Sequence, residues 1–405
     1  MKLEFYAGVK YGDRIFFSEY SCLKGLFSMN HKGGEVKFLK TFEKETAMSR
    51  LHRMAFIYGH EAWFIPEEAE HIVCLNLETL DMEYYKVPCH MKNTNKVHGD
   101  YSTYTSGFVL KERYICLIPR EIDTVLLIDM ELHKMYPFYH VVDPEKERIA
   151  DGLAVGDDLY LFPERGEGYT QINLTTGKRI TLTRTDRAFV PGCVCETGGK
   201  IWFAPWEKGD IVCKSISDGK EYLLSVPEKG NLYYRMIDTK NKLIFLPFKA
   251  TGFLVVDKST LKTEILHLCE DVSDGVICTV IGFGGEILIA AGAKGRVFSL
   301  DKDAGKLEII PVEIAPADLC RQVIAYVEKA GSIGKNKRET AILSLKRLFG
   351  GDAPVVYENE GMTALTRLVG FGCLTDESGK SESCIQKAGQ GSIGKGIWNK
   401  LKSIT

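Results

Sequence analysis

The run Leu159-Tyr160-Leu161-Phe162-Pro163 carries four apolar residues into a proline, and the same short phrase returns along the chain. It reads Ala62-Trp63-Phe64-Ile65-Pro66, Ile115-Cys116-Leu117-Ile118-Pro119, Ile201-Trp202-Phe203-Ala204-Pro205 and Leu243-Ile244-Phe245-Leu246-Pro247. Two copies lack the proline, Ile15-Phe16-Phe17-Ser18-Glu19 and Ile287-Leu288-Ile289-Ala290-Ala291. The last positions of the seven copies are separated by 47, 53, 44, 42, 42 and 44 residues. A polar residue stands ten positions beyond each of six of them: Asn76, Asp129, Asn173, Ser215, Asp257 and Asp301. In the first copy Asn30 falls one residue late. A turn signature follows, as in Asn173-Leu-Thr-Thr-Gly-Lys178.

Each unit reads as four short strands. In the fourth these are Gly152–Val155, Asp158–Pro163, Tyr169–Leu174 and Lys178–Thr183, joined by turns rich in glycine. Small four-stranded antiparallel units at this period are the signature of propeller blades, since one blade cannot cover both its faces and a ring of seven can. The expectation is an all-β, seven-bladed β-propeller over residues 1–315 with a small C-terminal helical appendage. Met1–Tyr6 either begins blade one or completes the last blade by pairing with Lys306–Val312.

The unit resembles the kelch and related seven-bladed repeats in its strand, turn and Asp/Asn-x-x-Thr-Gly-Lys order. It departs from kelch blades in carrying proline where they carry a double glycine. No Trp-Asp dipeptide supports a WD40 assignment. The resemblance implies architecture only.

After Pro316, Leu319, Val323, Ile324 and Val327 recur at helical spacing, followed by Ile342, Leu345, Leu348 and Phe349. We therefore expect a helical appendage at 316–372. At 373–405 a linker rich in Ser, Gly, Lys and Glu leads to a terminal basic helix around Trp398, which docks either on the propeller or on a partner. Gly389-Gln-Gly-Ser-Ile-Gly394-Lys395 has the glycine and lysine spacing of a phosphate loop. It lacks the following Ser or Thr and a buried strand before it, so nucleotide binding is set aside.

Composition narrows the function. The 405 residues hold 52 Lys and Arg against 54 Asp and Glu, a net charge of -2. A nucleic-acid binder carries a basic excess, and this chain has none. No apolar run reaches the roughly 18 residues of a membrane span, so no membrane insertion is expected. The 12 Cys are scattered, without CxxC pairs, and read as reduced core residues of a cytoplasmic protein. No metal ligand, cofactor site or catalytic residue is assigned. His98-Gly-Asp100 and His140-Val-Val-Asp143 lack a third partner.

In a four-stranded blade, the loop after the second strand and the loop into the next blade emerge on one face. The ligand-binding candidates on that face are Arg53, Glu67, Tyr104, Arg120, Arg148, Glu164, Arg187, Trp206, Tyr234, Arg235, Phe248 and Lys249. Arg, Tyr and Trp supply recognition energy at interfaces and also suit sugars and anions. The expected function is a non-catalytic binding or scaffold protein offering this face to a protein or glycan. The alternative is a propeller lyase or hydrolase acting there on a sugar or anionic small molecule. A competing role for the same arginines is tying adjacent blades together through Glu67, Glu121, Glu164 and Glu207.

Overall fold

The computed structural model describes residues 5–19, 24–45, 50–88, 103–140, 148–164, 168–183, 191–205, 210–226, 233–247, 252–267, 277–283, 286–291, 296–301, 307–313, 315 and 322. Seven four-stranded antiparallel sheets follow one another along the chain, each built from strands in chain order. Their innermost strands are Phe5–Tyr11, His52–Tyr58, Tyr104–Leu110, Ile149–Val155, Pro191–Thr197, Tyr233–Asp238 and Ile277–Phe283. The inner strands of blades seven and one lie side by side and close the ring. The fold is a seven-bladed β-propeller. Apart from Gln322, the helical appendage at 316–372 and the helix around Trp398 lie outside the described residues.

The proline phrases are the second strands, and the polar residues ten positions on end the third strands. In blade four the second strand is Asp158–Pro163 and the third is Gly168–Asn173. The inner strand, Ile149–Val155, starts three residues earlier than the pattern implied. In blades two, three, four and six the turn that follows the third strand is closed by that terminal side chain. Asn76 Oδ1 accepts the N–H groups of Glu78 and Thr79 at 2.9 Å each. Asp257 Oδ1 accepts those of Ser259 at 3.0 Å and Thr260 at 2.8 Å. Asp and Asn favour these positions because a short carboxylate or amide reaches its own backbone two and three residues on.

The core lies between blades, where second strands present apolar side chains to both neighbours. Trp63, Phe64 and Ile65 are all fully buried, Phe64 toward blade one and Trp63 and Ile65 toward blade three. Phe162 meets Phe203 edge-on across blades four and five, centroids 5.3 Å apart. At the seam of the ring a Cβ on Gly8 would stand 2.9 Å from the Phe16 carbonyl and 3.1 Å from Ile281 of blade seven. Only glycine lets the inner strands approach this closely.

Phe5 pairs with Glu19, so the first strand belongs to blade one and completes no other blade. The ring is latched outside its sheets. Val312–Glu313 runs parallel to Gly34–Glu35, with Gly34 N–H bonded to Pro311 O at 2.8 Å and Val36 N–H to Glu313 O at 2.9 Å. Gln322 adds a further link, its Oε1 accepting the Phe38 N–H at 2.8 Å.

Candidate functional site at the channel mouth

One irregularity recurs in all seven blades. The first residue of each inner strand pairs with the last of the second strand, as in His52 with Pro66, Tyr104 with Pro119 and Tyr233 with Pro247. The register then slips by one. The same slip follows Phe5, Ile149, Pro191 and Ile277. Proline cannot donate to the ladder and belongs at such breaks. A bulge turns the next side chains off the regular alternation, here at the channel mouth.

Arg53 and Tyr234 are the extra residues of the bulges in blades two and six. Thr105 holds that slot in blade three, and its hydroxyl donates to the carbonyl of Ala150, the extra residue of blade four, at 2.7 Å. The next slot holds Met54, Ser106, Asp151, Cys193 and Arg235 in blades two to six. Asp151 is the hub of this set. Its carboxylate accepts the N–H of Gly152 at 2.8 Å and that of Val194, in blade five, at 2.9 Å. The Ser106 hydroxyl, from blade three, and the charge of Arg53, from blade two, both act on it electrostatically. Burial pushes the Asp151 carboxyl above the usual carboxylate range, against the opposing pull of those bonds and of Arg53. Cys193 beside it is buried, and burial also drives its thiol well above the usual range, which disfavours the thiolate.

Outside this hub, on the same face, a set of ion pairs crosses the blades. Arg50 contacts Glu67 at 2.8 Å and Glu68 at 3.3 Å. Arg120 contacts Glu164 at 3.2 Å, linking blades three and four. Arg148 bonds to Glu121 and reaches Glu164 at 3.6 Å. The backbone joins in. Thr103 donates its N–H and hydroxyl to the Glu67 carbonyl at 3.1 and 2.9 Å, and Arg120 N–H reaches Thr103 O at 3.1 Å. Blades two, three and four thus share a continuous polar rim.

The sequence candidates divide accordingly. Glu67, Arg120, Arg148 and Glu164 meet in the rim, and Arg53 and Arg235 lie in the inner strands themselves rather than in the loops before them. Tyr104 is fully buried in the cluster between blades two and three, so its ring faces the core and not an incoming ligand. Arg187, Trp206, Phe248, Lys249 and the side chain of Tyr234 lie outside what the structure describes. Arg50, Ser106 and Cys193 are not among the sequence candidates. Arg50 was open to the rule that found Arg148, an arginine just ahead of an inner strand. The prolines themselves were the available signal for the bulges. On the opposite face Glu61, Cys74 and His133 form a mixed set of potential metal ligands.

No protein-family model and no curated protein sequence matches the chain. Among solved structures it is similar to a catalytically inactive virginiamycin B lyase from Staphylococcus aureus with quinupristin. That match has 13% identity and a TM-score of 0.55, and covers 72% of this chain and 93% of the other. A streptogramin B lyase gives 14% identity and a TM-score of 0.54, covering 76% and 93%. YCF48 bound to D1 peptide gives 10% identity and a TM-score of 0.55, covering 75% and 94%. At these identities the shared property is the propeller fold. A specific kinship with kelch repeats has no further support.

Proposed function

We propose that the chain is a non-catalytic binding protein that offers the rim of blades two to four to a protein partner. The observation that carries this reading is the Arg120–Glu164–Arg148–Glu121 network. It holds two guanidinium groups and two carboxylates in fixed positions while leaving Arg148 23% and Glu164 22% exposed. Fixed, half-open charges of both signs suit a partner that brings its own complementary pairs, and they cost it little ordering entropy. Two similar propeller structures are lyases and another holds a peptide. The fold therefore admits both classes.

Among the described residues, two features favour protein over glycan and over catalysis. Sugars are gripped by exposed aromatic faces, whereas Tyr104, Tyr233, Trp63 and Trp202 are buried. A lyase or hydrolase needs a carboxylate or histidine disposed toward substrate. Glu67, Glu121 and Glu164 each have an arginine, and Asp151 is occupied by backbone donors from two blades. The five cysteines whose side chains are described are free thiols, which fits the reducing cytoplasm we also propose.

Affinity capture from host extract, read by mass spectrometry, tests the reading with the wild-type chain and an Arg120→Glu/Arg148→Glu variant shown to be folded by circular dichroism. A protein retained by the wild type and lost by the variant supports it. Equal capture by both, or turnover of a small anionic substrate, overturns it.

A further inference from the structure

Blades two to six end their third strands in the same turn, and its fifth residue takes a left-handed backbone. That residue is Leu80, His133, Gly177, Gly219 and Leu261 in blades two to six, with φ of 62°, 52°, 69°, 71° and 58°. Glycine takes this conformation freely, and a side chain there needs a reason. In blade three the reason lies across the gap to blade two. His133 Nε2 stands 2.9 Å from Glu61 Oε2, at the start of blade two's second strand. Cys74, on the adjoining third strand, completes a group whose ligand atoms all fall within 4.8 Å of one another.

We propose that Glu61, Cys74 and His133 form a binding site for a divalent transition metal of borderline softness, with zinc the best match. The donor set is right for it: one thiolate, one imidazole and one carboxylate. With bonds of about 2.0 to 2.3 Å in a tetrahedron, ligand atoms sit roughly 3.2 to 3.8 Å apart, so modest side-chain adjustment closes the site. The charges balance, because a thiolate and a carboxylate neutralise a divalent cation, and the Cys74 proton leaves to solvent on binding.

The surroundings are those of a ligating histidine. Its second ring nitrogen, Nδ1, faces the Tyr85 hydroxyl at 3.0 Å and Glu83 Oε2 at 3.4 Å, and Tyr85 is itself bonded to Glu83. A carboxylate behind the imidazole orients the ring and raises its basicity. Trp63 flanks it edge-on, centroids 5.2 Å apart. Cys74 is buried, whereas the His133 side chain is 30% exposed, so an ion has a path in and a fourth position open to water. Equivalent slots elsewhere in the ring hold other chemistry. They are Arg14, Ser28 and Leu80 between blades one and two, and Tyr114, Leu127 and Gly177 between blades three and four.

Cobalt(II) and zinc(II) titrations of the purified reduced chain test the site. The expected result is one equivalent of Co2+ with a thiolate-to-cobalt charge-transfer band, displaced by Zn2+, and a melting temperature that rises with Zn2+ concentration. His133→Leu copies the residue that blades two and six carry in this turn and should keep the fold. It should weaken binding at least tenfold, and Cys74→Ala should abolish the charge-transfer band. Absence of the band in the wild type overturns the proposal, as does unchanged stoichiometry and affinity in both variants.

Discussion

The carboxylate of Asp151, in the inner strand of blade four, accepts the backbone N–H of Val194, in the inner strand of blade five, at 2.9 Å. A side chain here does the work of a ladder bond between two sheets that share no strand. Both carboxylate oxygens are committed, one to Gly152 and one to Val194. Asp151→Asn keeps the shape but has one acceptor oxygen, so a buried N–H loses its partner. We expect a loss of about 1 to 3 kcal/mol in denaturant unfolding. Unchanged or improved stability would mean that relief of the buried charge outweighs the lost bond.

Arg148 gives a second test. It is bonded to Glu121 and close to Glu164, with all three side chains less than a quarter exposed. Arg148→Ala should cost about 1 to 3 kcal/mol, between the values for open and fully buried pairs. Adding Glu121→Gln to it should cost little more. A double-mutant cycle reads the coupling, and strict additivity of the two losses would show that the pair is not coupled.

How far these features were legible depends on whether their causes are local. The turn after Asn173 announces itself because its side chain bonds its own backbone within three residues. The prolines announce the second strands because a strand must break where an N–H is missing. The bulges were written in those same prolines, yet the inner strands, such as Ile149–Val155, vary too much to show a bulge without their partner. From sequence alone Arg53 therefore reads as a loop residue. Tyr104 looked like a rim residue from its place ahead of blade three, and its burial is decided by Trp63 and Ile122 of the surrounding cluster. Glu61, Cys74 and His133 belong to two blades, and nothing in their spacing brings them together.

His52 governs an acid response. It is fully buried between Phe42 and Phe64, centroids 4.3 and 5.4 Å away, and neither ring nitrogen has a hydrogen-bond partner. Burial lowers its pKa from 6.5 to about 3. The unfolded chain therefore binds a proton below pH 6.5 that the folded chain refuses. His52 should make stability fall between pH 6.5 and about 3, with a slope approaching about 1.4 kcal/mol per unit. His52→Phe, which copies Phe5 in the same slot of blade one, should raise the melting temperature at neutral pH and flatten this part of the curve. A steeper curve or a lower melting temperature would count against the explanation.

The turn side chains give a milder acid signal. Hydrogen bonds from Ser259 and Thr260 hold the Asp257 carboxyl down to about 2, below its usual 3.8. Its stabilising effect is complete above pH 4 and is lost as pH falls through about 2. Asp257→Asn keeps an acceptor and should remove this pH dependence while leaving neutral-pH stability nearly intact. Thermal melts of both proteins at pH 2 to 5 make the comparison.

The latch between Gly34–Glu35 and Val312–Glu313 has a mechanical consequence. A propeller whose last blade is woven from both ends of the chain is a hoop, and this one is a spring washer with a clasp. Six junctions between neighbouring blades are bridged by continuous chain, while the seventh is spanned by side-chain packing and a few backbone hydrogen bonds. Strain introduced anywhere in the ring is relieved most cheaply at that seam. Amide protons at Gly34 and Val36 should therefore exchange ahead of those in the second strands, as the clasp opens before any blade melts.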